Sequence, residues 1–269
     1  MTSDQSHDVV FHADVPYRGG SALDDYARER CALDLYIPLD AAAFPTLVWL
    51  HGGGIKEGAR DGDFEKRLGR WLAGQGIALA SAGYRLSPHA RYPEYVDDAA
   101  AAAQWVLTNI SKYGGSTEHV FVGGHSAGAY LAALLAMRPS FLEAHGVSVS
   151  QFAGFIPVSA QMFTHWTVRE ERGIERPETT PVIDDAAPCY YVRPDAPDLL
   201  VLWADGDIPA RPEENEYFLA ILKHAGHSRA QGARIGGRDH STIAEKMVEP
   251  NDPAGCLLVD FIRSRAAQG

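Results

Sequence analysis

A serine between glycines, in the run G-H-S-A-G at 124–128, is the strongest chemical signal in this chain. It follows a short apolar run (120–122) and opens an Ala- and Leu-rich stretch (127–137). A hydroxyl carried on a strand-to-helix turn needs small flanking residues, because side chains at Gly124 or Gly128 would strike neighbouring backbone. Such a turn lifts Ser126 clear of a sheet and leaves the amide of Ala127 free at a helix N-terminus. A phosphate loop would need Lys where Ala129 stands, and a dinucleotide fingerprint started at Gly123 would need Gly where His125 stands. The pattern therefore favours a nucleophile. A second glycine run, H-G-G-G at 51–54, also follows an apolar run (46–50). Its backbone N–H groups can turn inward to meet the oxyanion that forms when Ser126 attacks an acyl carbon.

A serine hydroxyl is a weak nucleophile at neutral pH and needs a base, which a carboxylate must orient. Of the 11 histidines, His240 lies in a turn-like stretch (236–242) after the last candidate strand and is the expected base. His125 points the wrong way along its turn, and His51 belongs to the glycine loop and shapes it. His224 and His227 flank a helix C-terminus, where a histidine acts as a cap. For the acid, the strand ending at Trp203 delivers both Asp205 and Asp207, and either lies within reach of His240. Asp239 reads as a solvated turn residue. The order Ser…Asp…His along the chain is that of α/β-hydrolases.

The elements that must position these residues are legible as alternating apolar runs and helical patterns. Strands are expected at 46–50, 76–84, 120–122, 199–203 and 233–235, and helices at 64–73, 95–109, 127–137, 213–224 and 256–265. The segment 30–37 alternates as an antiparallel edge strand would. Strands apolar on both faces, alternating with helices, predict a mainly parallel sheet covered on both sides, with ligands beyond the carboxyl ends of the strands. No repeat or linker divides the chain, so one domain over 1–269 is expected. Between 159 and 198 a charged run and five prolines predict an irregular flap, not a helical cap. Phe163 and Trp166 in that flap are candidate lining of an acyl pocket. A shallow site of this kind favours acyl groups of about two to six carbons and no activation at a lipid interface, since a longer chain would find no apolar channel to bury it.

From about Tyr17 to His240 the chain resembles the α/β-hydrolases of the esterase/lipase group that carry an H-G-G-G loop. It is similar to hormone-sensitive-lipase-like carboxylesterases, and more so to small bacterial hydrolases resembling feruloyl/acetylxylan esterases and kynurenine formamidase. The residues that carry the likeness are the 51–54 and 124–128 runs, Y-R-L-S-P at 84–88, Asp207 and the Asp239–His240 pair. The resemblance implies Ser126 as nucleophile, Asp207 as acid and His240 as base, with Gly53, Gly54 and Ala127 forming the oxyanion hole. Ala204 departs from the glycine that usually begins the acid loop. Arg85 and Asp98 are expected to pair and anchor the loop under the site. The implied reaction is hydrolysis of short-chain carboxylic esters through an acyl-enzyme. An aryl formamidase is the alternative within the class, and a non-catalytic small-molecule receptor is the alternative outside it.

Composition bounds the partners. With 24 Lys plus Arg against 35 Asp plus Glu, the formal net charge is −11, which disfavours nucleic acid and anionic membrane. Cys31, Cys189 and Cys256 are too few and too scattered for a disulfide framework or zinc site, and no H-E-x-x-H run occurs, so neither metal nor cofactor is expected. The polar first eight residues lack the pattern of a signal peptide, and no apolar run approaches the ~20 residues that span a bilayer. The expectation is a cytoplasmic enzyme, monomeric or homodimeric, acting on a small ester or amide.

Overall fold

The computed structural model describes residues 9–19 and 23–267; the polar N-terminal stretch 1–8 lies outside the described residues. In chain order the elements are β1 (Val9–Pro16), α1 (Asp25–Arg30), β2 (Ala32–Pro38), β3 (Phe44–Leu50), α2 (Asp63–Gly74), β4 (Ala78–Ala82) and α3 (Glu94–Asn109). There follow β5 (Gly115–His125), α4 (Ala127–Met137), α5 (Ser140–Glu143), β6 (Gly154–Val158) and α6 (Trp166–Glu171). The chain then forms β7 (Leu199–Gly206), α7 (Arg211–His224), β8 (Ala230–Asp239), α8 (Thr242–Glu245) and α9 (Pro253–Ala266).

The strands make one eight-stranded sheet in the order β1-β2-β4-β3-β5-β6-β7-β8. From β4 to β8 all pairs are parallel, while β2 runs antiparallel to both β1 and β4. Alternate residues of the central strands face opposite layers. Val48, Leu50, Val120 and Val122 pack into a core with α3, α4 and α7, whereas Leu47, Trp49 and Phe121 pack into a second core with α2, α8 and α9. Every residue of α4 is buried, which explains why its sequence is apolar all round. The result is the expected α/β-hydrolase architecture, a mainly parallel sheet with helices on both faces.

Three strands differ from the sequence reading in their place in the sheet or in not having been expected, and β5 and β8 run longer than expected. The segment read as an edge strand is β2, antiparallel as expected but interior, with all of its residues buried. The edge belongs to β1, whose half-exposed, polar-interrupted sequence carries little strand pattern. The third is β6, an interior strand that contains Pro157, a residue that ordinarily argues against a central strand. Its ladder with β7 is held by Phe155 N–H to Asp198 O (2.9 Å) and Ser159 N–H to Leu202 O (2.7 Å), with Pro157 and its missing donor between them. Between β6 and β7 the chain forms only α6 and a 3-10 turn (Pro188–Tyr191) amid irregular backbone.

Candidate active site

Ser126 occupies the turn between β5 and α4 at φ +55° and ψ −115°, a conformation that L side chains rarely adopt. Two glycines make it possible. A Cβ on Gly124 would stand 2.6 Å from the Leu50 carbonyl oxygen, and one on Gly128 would collide with the same carbonyl more severely. The Ser126 N–H donates to Val158 O (2.9 Å), tying the turn to the end of β6. The side chain is thereby aimed at the loop that follows β8.

That loop brings His240 to it. His240 Nε2 lies 2.8 Å from Ser126 Oγ, and Nδ1 lies 2.6 Å from Asp207 Oδ1. The carboxylate beside Nδ1 holds the ring proton there, so Nε2 is left to accept from the serine hydroxyl. The Asp207 side chain is fully buried and also accepts from Ser159 Oγ (2.6 Å) and from the Ile208 N–H (2.8 Å). Burial works to raise its pKa, but the hydrogen bonds from His240 and Ser159 outweigh it and hold the carboxyl below its usual value. Ser159 directly follows β6, and its part is not legible without that strand.

The other aspartates are engaged elsewhere. Asp205 accepts the N–H groups of Gly237 (3.0 Å) and Arg238 (3.1 Å), closing the ends of β7 and β8 together. Asp239 accepts from Thr242 N–H (2.8 Å) and Ser241 N–H (3.1 Å), which starts α8. His125, by contrast, does face the cleft. Its Nε2–H donates to the His240 carbonyl (2.7 Å), and the two rings lie 4.9 Å apart. Burial pushes its pKa down to about 3, so it stands as a neutral ring that braces His240 without adding charge beside it.

The glycine loop faces Ser126 from the end of β3. Gly53 (φ +109°) and Gly54 (φ +62°) turn their carbonyls away, toward the N–H groups of Lys56 and Glu57 and the Thr167 hydroxyl respectively. No acceptor among the described residues takes the N–H of Gly53 or Gly54. At the head of α4, Ala127 lies where a helix has no internal partner for its N–H. His51 shapes the loop as expected, stacked on Tyr84 at 4.3 Å with its Nδ1 2.7 Å from Gly52 O. Tyr84 returns a hydrogen bond to His51 O (2.7 Å). The next residue, Arg85, grips buried Asp98 through Nε (2.8 Å) and Nη2 (2.9 Å), the pairing read from the sequence.

The cleft, about 540 Å³, is lined by Gly53, Gly54, Ser126, Trp166, Arg211 and His240 among others. Trp166 lies against Gly54, where a Cβ would come 2.7 Å from its ring. Phe163 is not among the residues lining this cleft. It lines a neighbouring cavity of about 440 Å³ that shares Trp166, Ile208 and Arg211 with the cleft. Among the described residues no cluster of His, Cys, Asp or Glu could hold a metal ion, and no helix is long and apolar enough to cross a membrane.

A serine turn after β5, an aspartate loop after β7 and a histidine loop after β8 lie at the carboxyl edge of a sheet with the α/β-hydrolase fold. The chain belongs to the BD-FAE family, whose model matches residues 33–220. That span takes in Ser126 and Asp207 and stops short of His240. The chain is also similar to esterase LipC of Mycobacterium tuberculosis, 29% identical over 216 residues, 73% of this chain and 52% of that protein. Esterase LipQ of the same organism is 26% identical over 262 residues, 88% of this chain and 59% of that one. The chain spans about half the length of the curated relatives it matches. Among solved structures, a truncated carbohydrate esterase from gut microbiota superposes with a TM-score of 0.79 at 17% identity, covering 98% of this chain and 99% of the other. A thermophilic esterase from Thermogutta terrifontis, with propionate bound, superposes with a TM-score of 0.71 at 22% identity, covering 99% and 95%.

Proposed function

We propose that this protein hydrolyses short-chain carboxylic esters through an acyl-enzyme on Ser126. The observation that carries the reading is the unbroken chain of hydrogen bonds from Ser126 Oγ through His240 to Asp207, at 2.8 and 2.6 Å, on a turn held open by Gly124 and Gly128. In the first step His240 Nε2 takes the serine proton as Oγ bonds the acyl carbon, and the carbonyl oxygen becomes an oxyanion. The N–H groups of Gly53, Gly54 and Ala127 receive that charge. One such donor is worth about 3–4 kcal/mol in the transition state. His240 then gives its proton to the departing alcohol oxygen as the C–O bond breaks. Water repeats the sequence on the acyl-enzyme and frees the acid. Asp207 fixes the imidazole tautomer and stabilises the imidazolium at each step.

The preference for acyl groups of about two to six carbons is supported by the modest segment between β6 and β7, which sets Trp166 against Gly54 and supplies no helical bundle over the serine. The acidic balance and three free cysteines support action in the cytoplasm on a small, water-soluble ester. Initial rates on p-nitrophenyl esters, from acetyl to dodecanoyl, test the reading. The expected optimum lies within the short range, with no jump in rate above the solubility limit and no turnover by Ser126→Ala. An optimum at about ten carbons or more would contradict the acyl preference, and a folded Ser126→Ala variant with more than about a tenth of wild-type activity would reject the mechanism.

A further inference from the structure

Beside the cleft lie two buried cations that form no ion pair among the described residues. Arg169 in α6 and Arg211 at the start of α7 are 2% and 4% exposed. A guanidinium taken out of water normally pairs with a carboxylate, because an unpaired buried charge is costly. Neither arginine has a carboxylate within salt-bridge distance among the described residues. Arg211 makes one hydrogen bond through Nη1, to Ser159 O (2.5 Å), and Arg169 makes one through Nη1, to Thr180 O. Arg169 Nε is buried with no partner at all.

Glu214, the buried carboxylate near them, is already engaged. Its Oε2 takes the N–H groups of Met162 (2.9 Å) and Phe163 (3.1 Å). The two buried guanidiniums thus share one buried carboxylate in the cavity wall, while Glu178 at the cavity is exposed and Asp207 near Arg211 is committed to His240. Both arginines line the 440 Å³ cavity, whose other walls include the apolar Phe163, Trp166, Pro181 and Ile208 together with Glu214 and the exposed Glu178. Arg211 lines the serine cleft as well, so the two spaces adjoin at its side chain.

We infer that this cavity is a subsite for a carboxylate carried by the substrate, held by Arg169 and Arg211 while the scissile ester sits at Ser126. The inference rests on the esterase reading for its substrate class. An apolar wall ending in guanidinium forks suits a short aliphatic chain with a terminal carboxylate, which a fork can bind with two parallel hydrogen bonds. The carboxylate can belong to the acyl part or to the alcohol part of the ester, and matched substrates tell them apart.

Rates followed by pH-stat compare monoethyl adipate with ethyl hexanoate, the carboxylate on the acyl side, and 4-acetoxybutanoate with butyl acetate, the carboxylate on the alcohol side. The expected result is a kcat/KM about tenfold or more higher for the charged member of one pair, falling to parity in Arg169→Gln. Parity or a preference for the neutral member in both pairs overturns the subsite while the esterase reading stands. Absence of turnover on all four esters overturns the esterase reading instead. The subsite is then judged by sodium adipate alone, which is expected to raise the Tm of the wild type more than sodium chloride of equal ionic strength does. No such rise overturns it. Should Arg169→Gln fail to fold, the wild-type comparisons decide by themselves.

Discussion

Asp205 and Asp207 are the same side chain two positions apart, and their surroundings assign them different work. Asp207 is buried between His240 and Ser159, while Asp205 is exposed and binds the backbone of the β8 turn. Asp207→Asn should lower kcat by about 10⁴-fold, because an amide facing Nδ1 favours the wrong tautomer and cannot stabilise the imidazolium. Asp205→Asn should leave kcat within a few-fold and act mainly on stability. Steady-state rates on p-nitrophenyl acetate check both, and a reversal would move the acid to Asp205. At this scale the sequence singled out Ser126 by its flanking glycines and His240 by its place after the last candidate strand, and the structure brings the two within hydrogen-bond distance. The choice between the two aspartates came only from the family resemblance, because spacing does not say which way a loop turns after β7. Nor does spacing orient His125, whose ring was expected to point away and instead supports the carbonyl of His240.

Elements with uninterrupted apolar runs were legible almost to their ends: α4 falls on 127–137 and β3 ends at Leu50, directly before the glycine loop. Those that escaped had patterns blurred by a local residue. Pro157 hid β6, and alternation with polar residues hid β1. Losing β6 also hid Ser159, and of the two candidate pocket residues Trp166 lines the serine cleft while Phe163 lines the adjoining cavity. The close approach of α4 to β3 makes a prediction at this scale. In Gly128→Ala the new methyl has no room beside the Leu50 carbonyl, so helix and strand must part. A loss of about 2–3 kcal/mol in urea unfolding is expected, together with most of the activity. Gly74→Ala, at the end of α2 with open space around its Cα, should be neutral or stabilising by up to about 1 kcal/mol. Equal stability of the two variants would show that the turn does not need its glycine.

The whole molecule should respond to acid through its buried histidines. Burial holds His51 and His125 at about 3 and keeps His165 well below the usual histidine value, so all three are neutral in the folded protein where an unfolded chain would protonate them. Below about pH 6.5 the unfolded state binds more protons, and stability falls by roughly 1.4 kcal/mol per pH unit for each such group until the folded pKa is reached. Glu65, raised by burial to about 7, works the opposite way between its unfolded value near 4.5 and that pKa. Three groups outweigh one, so urea midpoints should drop steadily from pH 7 to pH 5; a constant or rising midpoint would mean that these histidines are not held neutral. The proposed hydrolysis depends on one serine among many, Ser126, being the nucleophile. Treatment with diisopropyl fluorophosphate, followed by mass spectrometry of the intact chain and its peptides, examines that directly. The predicted outcome is a single adduct on Ser126 that forms in step with the loss of ester hydrolysis and is absent from His240→Ala on the same time scale. A folded protein that stays unlabelled, or that is inactivated by an adduct on a different residue, would contradict it.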